Sequence, residues 1–574
     1  MSVLFSLPFL ALFLVFTVIP VFMALGLSFT KYDVIQPPQF VGLKNYLTLF
    51  LKDDVFITAV KNTILFACIY APLSMIGCMG IAWIINDYSP LVRTILTFVF
   101  YAPSISGGMI TIWQIIFSGD AYGVINSILM NLGLETAPVQ WLNNPNYIFS
   151  VMVIVSVWGC LGTGFLAFVA AFRGIDVSLY EAAAMDGVKN RVQELWYITL
   201  PSLRPQLSFT ALTSITGAFG VGAVSKQLFG NPSTNYAAHT IALHMEDYAT
   251  ARMDQGVACV MAIILFVLMV GSNNLFRKFI NRIGRWVFMA KVSGTHKLNR
   301  SAGGNIFTLL LIVILGVFML VPMVYVINNA FKPLEELFRY PPTLFVQNPT
   351  LKNFTDMFNL LNETSMPFLR YLFNTVFLTV VAAAGQIIFA SLCAYSLAKI
   401  PYPGSKFIFK LIIFSLMFSG TVTQVPSFII FAKLGLIDTY WGMIIPSLVS
   451  TMGLYLMKQF MDTNVPNELL EAARIDGASE IRIFFKIVMP LLKPAWFTLI
   501  ILSIQSLWGA SSNNTYREVF KTMPQALSQI AAGGIERTGV SAAASLIMLV
   551  VPITCFLFMQ SKIVDTMGSA GLKG

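Results

Sequence analysis

The chain has 574 residues, 57% of them hydrophobic and only 11% charged, with a formal net charge of +10 and a mean hydropathy of +0.76. A soluble domain carries roughly 25% charged residues, so the composition describes a polytopic membrane protein and excludes counting domains by soluble length. The basic residues punctuate loops instead of forming one patch, which excludes a nucleic-acid reading of the charge.

Residues 3–29 are one apolar run, long enough to span a bilayer. The run lacks a basic leader and a clear small-residue cleavage site, so a retained helix is expected rather than a signal peptide. A loop at 30–56 contains FVGLKNYLTLF, and further spans are expected at about 57–85, 92–118, 147–172, 206–228 and 255–276. Residues 277–304 carry Arg277, Lys278, Arg282, Arg285, Lys291, Lys297 and Arg300 without one acid, a strong cytoplasmic signal. Ser293-Gly294 and Ala302-Gly303-Gly304 suit a linker.

The second half repeats the plan, with spans at about 305–330, 370–398, 407–432, 441–461, 495–511 and 540–561. LKNFTDMF at 351–358 echoes LKNYLTLF at 43–50, and Asn374-Thr375 opens its span as Asn62-Thr63 does in the first half. Such an internal repeat decides the architecture. An all-α protein follows, with two units of about six transmembrane helices each: 1–284 (core about 57–276), a linker at 285–304, and 305–574 (core about 370–562). Two copies in the same orientation imply a parallel pair about an axis along the membrane normal. The segments 86–93, 173–204, 277–304, 399–410, 458–493 and 561–574 are expected to be cytoplasmic, and they hold 22 of the 36 Lys and Arg.

One polar, helix-rich stretch occurs twice between the apolar runs. Residues 180–201 read YEAAAMDGVKNRVQELWYITLP, and residues 470–490 read LEAARIDGASEIRIFFKIVMP. Glu181-Ala182-Ala183 with Gly187 and Pro201 matches Glu471-Ala472-Ala473 with Gly477 and Pro490, and Pro205 and Pro494 follow. Ser178-x-x-Glu181 has the form of a capping box, and Pro466 suits a first helical turn. Both glycines permit a helix end with positive φ. A second helix should offer Ile481, Phe484, Phe485 and Val488 as an apolar face, with Val192, Leu195 and Trp196 in the other copy.

The stretch resembles the Glu-Ala-Ala loop of the permease subunits of bacterial binding-protein-dependent ABC importers. The second copy fits the family spacing, with Pro490 thirteen residues after Gly477; Pro201 lies fourteen after Gly187, which bears on the orientation of the second helix there. The whole chain resembles the carbohydrate-uptake, maltose-type branch, each half being like one permease subunit. The tail GSAGLKG looks like that of sugar-importer permeases. The resemblance implies two tandem type I ABC importer permease units in a bacterial cell membrane. It implies a cytoplasmic ATP-binding subunit dimer, with ATP and Mg on that partner and no cofactor in this chain. An extracytoplasmic solute-binding protein would deliver a sugar or oligosaccharide. The coupling residues carried over are Glu181, Ala182, Ala183, Gly187, Pro201, Glu471, Ala472, Ala473, Gly477 and Pro490.

No Asp or Glu lies in any expected span, which argues against an ion-coupled carrier. No G-x-x-x-x-G-K-[ST] phosphate loop is present, so energy must come from a partner. Cys68, Cys78, Cys160, Cys259, Cys393 and Cys555 lie in apolar stretches without Cys-x-x-Cys spacing and read as packed thiols. His239 and His244, five apart, lack a carboxylate-rich ligand set for a metal. An enzyme such as a lipid-linked glycosyl transferase would need clustered acids. The adjacent pairs Asp53-Asp54, Glu246-Asp247 and Glu335-Glu336 have no partner motif. A substrate pathway would draw on Trp158, Thr213 and Ser214 and on Ser503, Gln505 and Trp508, although small hydroxyl residues also serve helix packing in membranes. A polar amino acid or a phosphorylated polyol stays open as the solute.

Overall fold

A computed structural model describes residues 2–33, 35–105, 110–173, 175, 177–188, 190–286, 302–362, 366–400, 402–416, 420–509, 515–531 and 537–570. Most of the expected linker, and the last residues of the tail, lie outside the described residues.

The first apolar run is α1 (Ser2–Phe13) and α2 (Ile19–Ser28), joined through a π turn at Leu14–Val18. A short hairpin, β1 (Thr30–Lys31) and β2 (Gln39–Phe40), leads to the amphipathic α3 (Lys44–Lys52). One unbroken rod follows, α4 (Asp54–Asn86), started by Asp53, whose carboxylate accepts the N–H of Phe56. Then come α5 (Pro90–Ile105), α6 (Ile110–Ile116), α7 (Val124–Asn131), α8 (Pro145–Trp158) and α9 (Thr163–Arg173). The first polar stretch is α10 (Val177–Met185), α11 (Arg191–Glu194), a π turn at Leu195–Thr199 and α12 (Leu200–Ser202). The unit closes with α13 (Arg204–Phe219), α14 (Gly222–Phe229), α15 (Ile241–Thr250) and α16 (Gln255–Trp286).

The second unit begins with α17 (Ala302–Phe331), α18 (Leu334–Leu337), α19 (Lys352–Asn362) and the long rod α20 (Phe368–Lys399). Next are α21 (Ser405–Ser415), α22 (Gly420–Lys433), α23 (Tyr440–Ser447) and α24 (Thr451–Asn464). Its polar stretch is α25 (Asn467–Ile475), α26 (Glu480–Ile483), a π turn at Phe484–Val488 and α27 (Met489–Leu491). It ends with α28 (Lys493–Trp508), α29 (Met523–Ala531) and α30 (Thr538–Ala570).

Each of these π turns ends two residues before a proline: Pro20, Pro201 and Pro490. A helical proline lacks a donor and its ring clashes with the carbonyl four residues back. In each case the residue before the proline donates five residues back instead (Ile19 to Leu14, Leu200 to Leu195, Met489 to Phe484), which widens the turn.

The sequence predicts twelve continuous spans; several are broken. Seven helices among the described residues are long and apolar enough to cross a bilayer alone, or nine if two bent pairs each count as one span. The two bent pairs turn between Phe219 and Gly222 and between Leu491 and Ala495. The helical path is also interrupted at Gly159–Gly162 between α8 and α9 and, within the span Tyr440–Asp462, at Leu448–Ser450 between α23 and α24. Ser450 restarts α24 by accepting the N–H of Gly453 at 3.0 Å. Broken backbone at membrane depth is tolerated where it is buried in protein or lines a cavity, and residues of these last two interruptions line one.

The first helices of the units do not stay at home. Phe5, Phe9 and Phe13 of α1 are buried against α20 and the second polar stretch, packing with Cys393, Tyr395, Phe484 and Val488. Met319, Met323 and Val326 of α17 join the first unit's Phe100, Tyr101, Trp113 and Phe165 in one core. In lipid, such association rests on close packing and small residues rather than on expelled water. A Cβ at Gly164 would meet Thr210 at 2.7 Å, and one at Gly453, its counterpart, would meet Leu499 at 2.7 Å. These glycines let α9 approach α13 and let α24 approach α28.

The two LKN echoes have a structural reason. Asn45 donates to the carbonyls of Ser28 and Thr30, and Asn353 to those of Asn329, Ala330 and Lys332. Each asparagine ties an amphipathic helix to the C-terminal end of its unit's first span.

Candidate functional site

A cavity of about 500 Å³ lies between the units, within the range of roughly 300–1,000 Å³ usual for small-molecule sites. Tyr70, Ser74, Ser104, Thr210, Thr213 and Ser214 line it from the first unit, and Gln386, Ser450, Ser503, Gln505 and Ser506 from the second. Among the described residues that line it there is no Asp, Glu, Lys or Arg. On the first side Ser74 and Ser214 share a hydrogen bond of 3.0 Å. On the second, Ser503 donates to Gln386 Oε1 at 2.5 Å, while Gln386 Nε2 donates to the carbonyl of Ser447 at 2.6 Å. At the cavity, Gln505 of the second unit bonds the first. Tyr101 donates its hydroxyl to Gln505 Oε1 at 2.9 Å, and Gln505 Nε2 donates to the carbonyl of Ser104 at 2.8 Å.

Of the six pathway residues expected from sequence, Thr213, Ser214, Ser503 and Gln505 line the cavity. Trp158 and Trp508 do not; both are buried and spend their ring N–H on main chain. Trp508 donates to the carbonyl of Met548 at 2.8 Å, which lost its helical donor because Pro552 stands four residues on. Trp158 donates to Met319 at 3.1 Å, in the turn disturbed by Pro322. Trp508 thus satisfies the carbonyl that Pro552 leaves without its helical donor in α30, and Trp158 reaches the carbonyl next to the one that Pro322 frees in α17. Sequence reasoning missed Ser74 and Gln386, whose signal is the repeat itself: they stand at matching places on α4 and α20, opposite the matching Ser214 and Ser503. Cys78 and Cys160 also line the cavity, and Cys68 is exposed on its helix.

The two polar stretches fold alike. Gly187 has φ +91° and Gly477 φ +76°. Val188 donates to Ala183 and Ala478 to Ala473, both at 3.0 Å, which is the six-to-one bond of a Schellman end. The second helices start at Asn190 and Ser479, whose side chains accept the N–H of Gln193 and Arg482. Asn190 stands eleven residues before Pro201, as Ser479 stands eleven before Pro490. The extra residue of the first copy is therefore taken up between Gly187 and Asn190, and the second helix is unchanged in length. Three local expectations shift. Ser178 lies inside α10 and is not its cap. Pro466 caps α25 from outside. The apolar face is split: Phe484 and Val488 are buried, but Ile481 and Phe485 are exposed, as are Val192 and Trp196 at the matching places.

At the end remote from these loops, Asn62 Nδ2 donates to the carbonyls of Tyr236 and His239 at 2.9 and 3.0 Å, and Thr63 Oγ1 accepts the N–H of Ile241 at 3.0 Å. Asn374 does the same to Val519 and Lys521, and Thr375 to Met523, at 2.8–2.9 Å. Beneath the first loop, His239 Nε2 meets His244 Nδ1 at 3.0 Å, and His244 Nε2 meets Asp53 Oδ2 at 3.0 Å. Tyr248 donates to the same carboxylate oxygen at 2.8 Å. Burial pushes the His239 imidazole down to about 4, helped by the neighbouring His244. Burial also lowers His244, against the pull of Asp53. No group of three His, Cys, Asp or Glu among the described residues is arranged to hold a metal ion.

The model of the binding-protein-dependent transport system inner membrane component family matches residues 88–285 and again 312–567. The chain belongs to that family, twice over. This permease is similar to YesP of Bacillus subtilis (strain 168), a probable ABC transporter permease protein, at 36% identity over 37% of the chain and 68% of YesP. It is similar to the arabinooligosaccharides transport system permease protein AraQ of the same organism at 30% identity over 46% of the chain and 94% of AraQ. AraP of that system matches at 30% over 47% of the chain and 86% of AraP. Among solved structures, that of a bacterial ABC transporter importing the acidic polysaccharide alginate matches with a TM-score of 0.41 and 22% identity, over 46% of this chain and 99% of that one. AraQ, matched over 94% of its length, thus corresponds to less than half of this permease, and the family model matches it twice, so it holds two such units in tandem. It is a multi-pass protein of the bacterial membrane, the transmembrane component of an ABC importer that works with a solute-binding protein.

Proposed function

We propose that the permease imports a neutral sugar or oligosaccharide through the cavity between its units, driven by an ATP-hydrolysing dimer docked on α10 and α25. The observation that carries the substrate reading is the uncharged lining: hydroxyls and amides can exchange hydrogen bonds with sugar hydroxyls, while no fixed charge is present to pair with an ion. Related permeases include those for arabinooligosaccharides and for lactose, and one named for polygalacturonan and rhamnogalacturonan. An amino acid or a phosphorylated polyol would leave its charge unpaired in such a site. Glu181, Ala182, Ala183, Gly187 and Pro201, with Glu471, Ala472, Ala473, Gly477 and Pro490, shape the two docking surfaces, and ATP and Mg belong to the partner. Both loops and the basic linker face the cytoplasm. The exposed Met185 and Ile475, at matching ends of α10 and α25, support docking there.

The test is uptake into proteoliposomes carrying the permease, its co-purified ATPase and its binding protein. Labelled arabinotriose and digalacturonate serve as probes of a neutral and an acidic oligosaccharide. Preferred uptake of the neutral probe supports the reading, and preferred uptake of the uronate overturns it.

A further inference from the structure

The matched residues of the two units form a mechanical series, and among the described residues one link in it is seen in the second unit alone. In that unit Arg474, in the last turn of α25, donates to Glu480 Oε1 at 2.7 Å. Glu480 Oε2 accepts the hydroxyl of Tyr395 on α20 at 2.6 Å. Glu480 thus joins the docking helix to a membrane-spanning rod through one carboxylate. Gln386 lies nine residues further along that rod, about 14 Å away and on the opposite face, where it accepts from Ser503 at the cavity wall. The first unit keeps the matching outer part, Ser74 on α4 bonded to Ser214. Its inner end differs. Arg191 stands where Glu480 does, pairs with Asp87 at the end of α4 and lies 4.6 Å over the ring of Trp83, the counterpart of Tyr395. Ala184 stands where Arg474 does, so the same bridge from docking helix to second helix cannot be built. There Tyr180 of α10 and Thr199 share a hydrogen bond at 3.1 Å.

We propose that Glu480 is a positioning residue that transmits movement of α25 to α20 and so to the cavity wall at Gln386 and Ser503, and that transmission is therefore stronger through the second unit than through the first. The proposal rests on α10 and α25 being the ATPase docking helices. A rigid rod held on one face at its inner end and bonded on the other face at the cavity turns a push into a tilt. A carboxylate with both oxygens engaged by different helices fixes that geometry better than a single contact.

The test uses the full chain with its co-purified ATPase in proteoliposomes. Ser506→Cys is introduced as a cavity reporter in a background with the exposed Cys68 and the cavity-lining Cys78 and Cys160 replaced by serine. Its labelling rate by a charged methanethiosulfonate is compared with and without ATP and vanadate. Glu480→Ala should keep the ATPase bound and hydrolysing at half the parental rate or more, while the ATP-driven change in labelling falls at least fivefold. Arg191→Ala should lower that change less than twofold. The charge exchange Arg474→Glu with Glu480→Arg should restore at least half of it, which a merely structural role would not require. If Glu480→Ala destabilises the chain, Glu480→Gln, which keeps an acceptor for Tyr395, should still show a loss of threefold or more. An unchanged response in Glu480→Ala or Glu480→Gln, an equal loss in Arg191→Ala, or release of the ATPase by Glu480→Ala overturns the proposal. Docking itself is read separately: retention of the ATPase by Gly477→Val refutes the docking reading whatever Glu480 does.

Discussion

At the outer end of the first unit, Asn62 and Thr63 hold a loop whose ionisable groups are His239, His244 and Asp53. At the outer end of the second, Asn374 and Thr375 hold a loop in the same manner, but its groups are Lys521 and Glu518, with Tyr371 donating to Glu518 at 3.0 Å. The backbone problem is identical in both places: a turn returning into the bundle needs its carbonyls and N–H groups satisfied. An Asn-Thr pair on the long helix solves it twice. The side chains below the turn are free to differ, and that freedom gives the two ends different responses to acid. The inner loops show the converse. Their backbones and capping agree closely, and they differ in the bridge at Glu480.

The largest expected effect tests the sameness of the inner loops. A Cβ at Gly477 meets nothing within 4 Å, so Gly477→Val suffers from its positive φ and not from crowding inside this chain. Substrate-stimulated ATP hydrolysis should fall tenfold or more, and Gly477→Asn, which tolerates that conformation, should retain most of it. Gly187→Val should be as damaging, because the extra residue of the first copy lies after the helix end. Mild loss in Gly187→Val alone would show that the two ends are not equivalent.

Acid should separate the outer ends. His239 sits at about 4 against an ordinary 6.5, so an opened first loop binds more protons between those values. Its stability is complete above about 6.5 and is lost as pH falls toward 4. Glu518 behaves differently. Burial raises its carboxyl, but Lys521 and Tyr371 outweigh that and hold it below the ordinary 4.5, so the second loop weakens only at lower pH. Hydrogen exchange at 236–241 should therefore lose about tenfold protection between pH 7 and 5, with little change at 519–523. His239→Gln with His244→Gln should flatten that response, and equal pH profiles at both loops would break the comparison.

Asn374→Leu takes the side-chain donor from the carbonyls of Val519 and Lys521, and Asn62→Leu takes it from that of His239, the carbonyl of Tyr236 keeping the N–H of His239. Each should cost about 2–3 kcal/mol in detergent unfolding experiments, and a large disparity would show that the shared geometry conceals unequal loads. The smallest effect concerns the tryptophans. Trp508→Phe removes one hydrogen bond to a proline-freed carbonyl and should cost about 1 kcal/mol in stability with uptake KM unchanged. Ser503→Ala, at the cavity wall, should raise KM by severalfold; an equal KM rise in Trp508→Phe would return that residue to the pathway.

The internal duplication, the membrane class and both Glu-Ala-Ala loops were determined by the sequence alone. They rest on local properties: apolar run length, the φ that Gly187 and Gly477 allow, and repeated words such as LKN and Asn-Thr. Four cavity residues were legible too, as hydroxyl and amide groups within apolar runs. Only the tertiary structure decided that Trp158 and Trp508 bond main-chain carbonyls of α17 and α30 and do not line the cavity, because that depends on which helix packs beside each. It also decided that Ile481 and Phe485 stay exposed, since the face that meets α1 and α20 carries Ile483, Phe484 and Val488. The crossing of α1 onto the other unit, the Tyr101–Gln505 link and the His239–His244–Asp53 chain join residues far apart in the sequence. Nothing local encodes such meetings; they follow from how two similar bundles pack against each other.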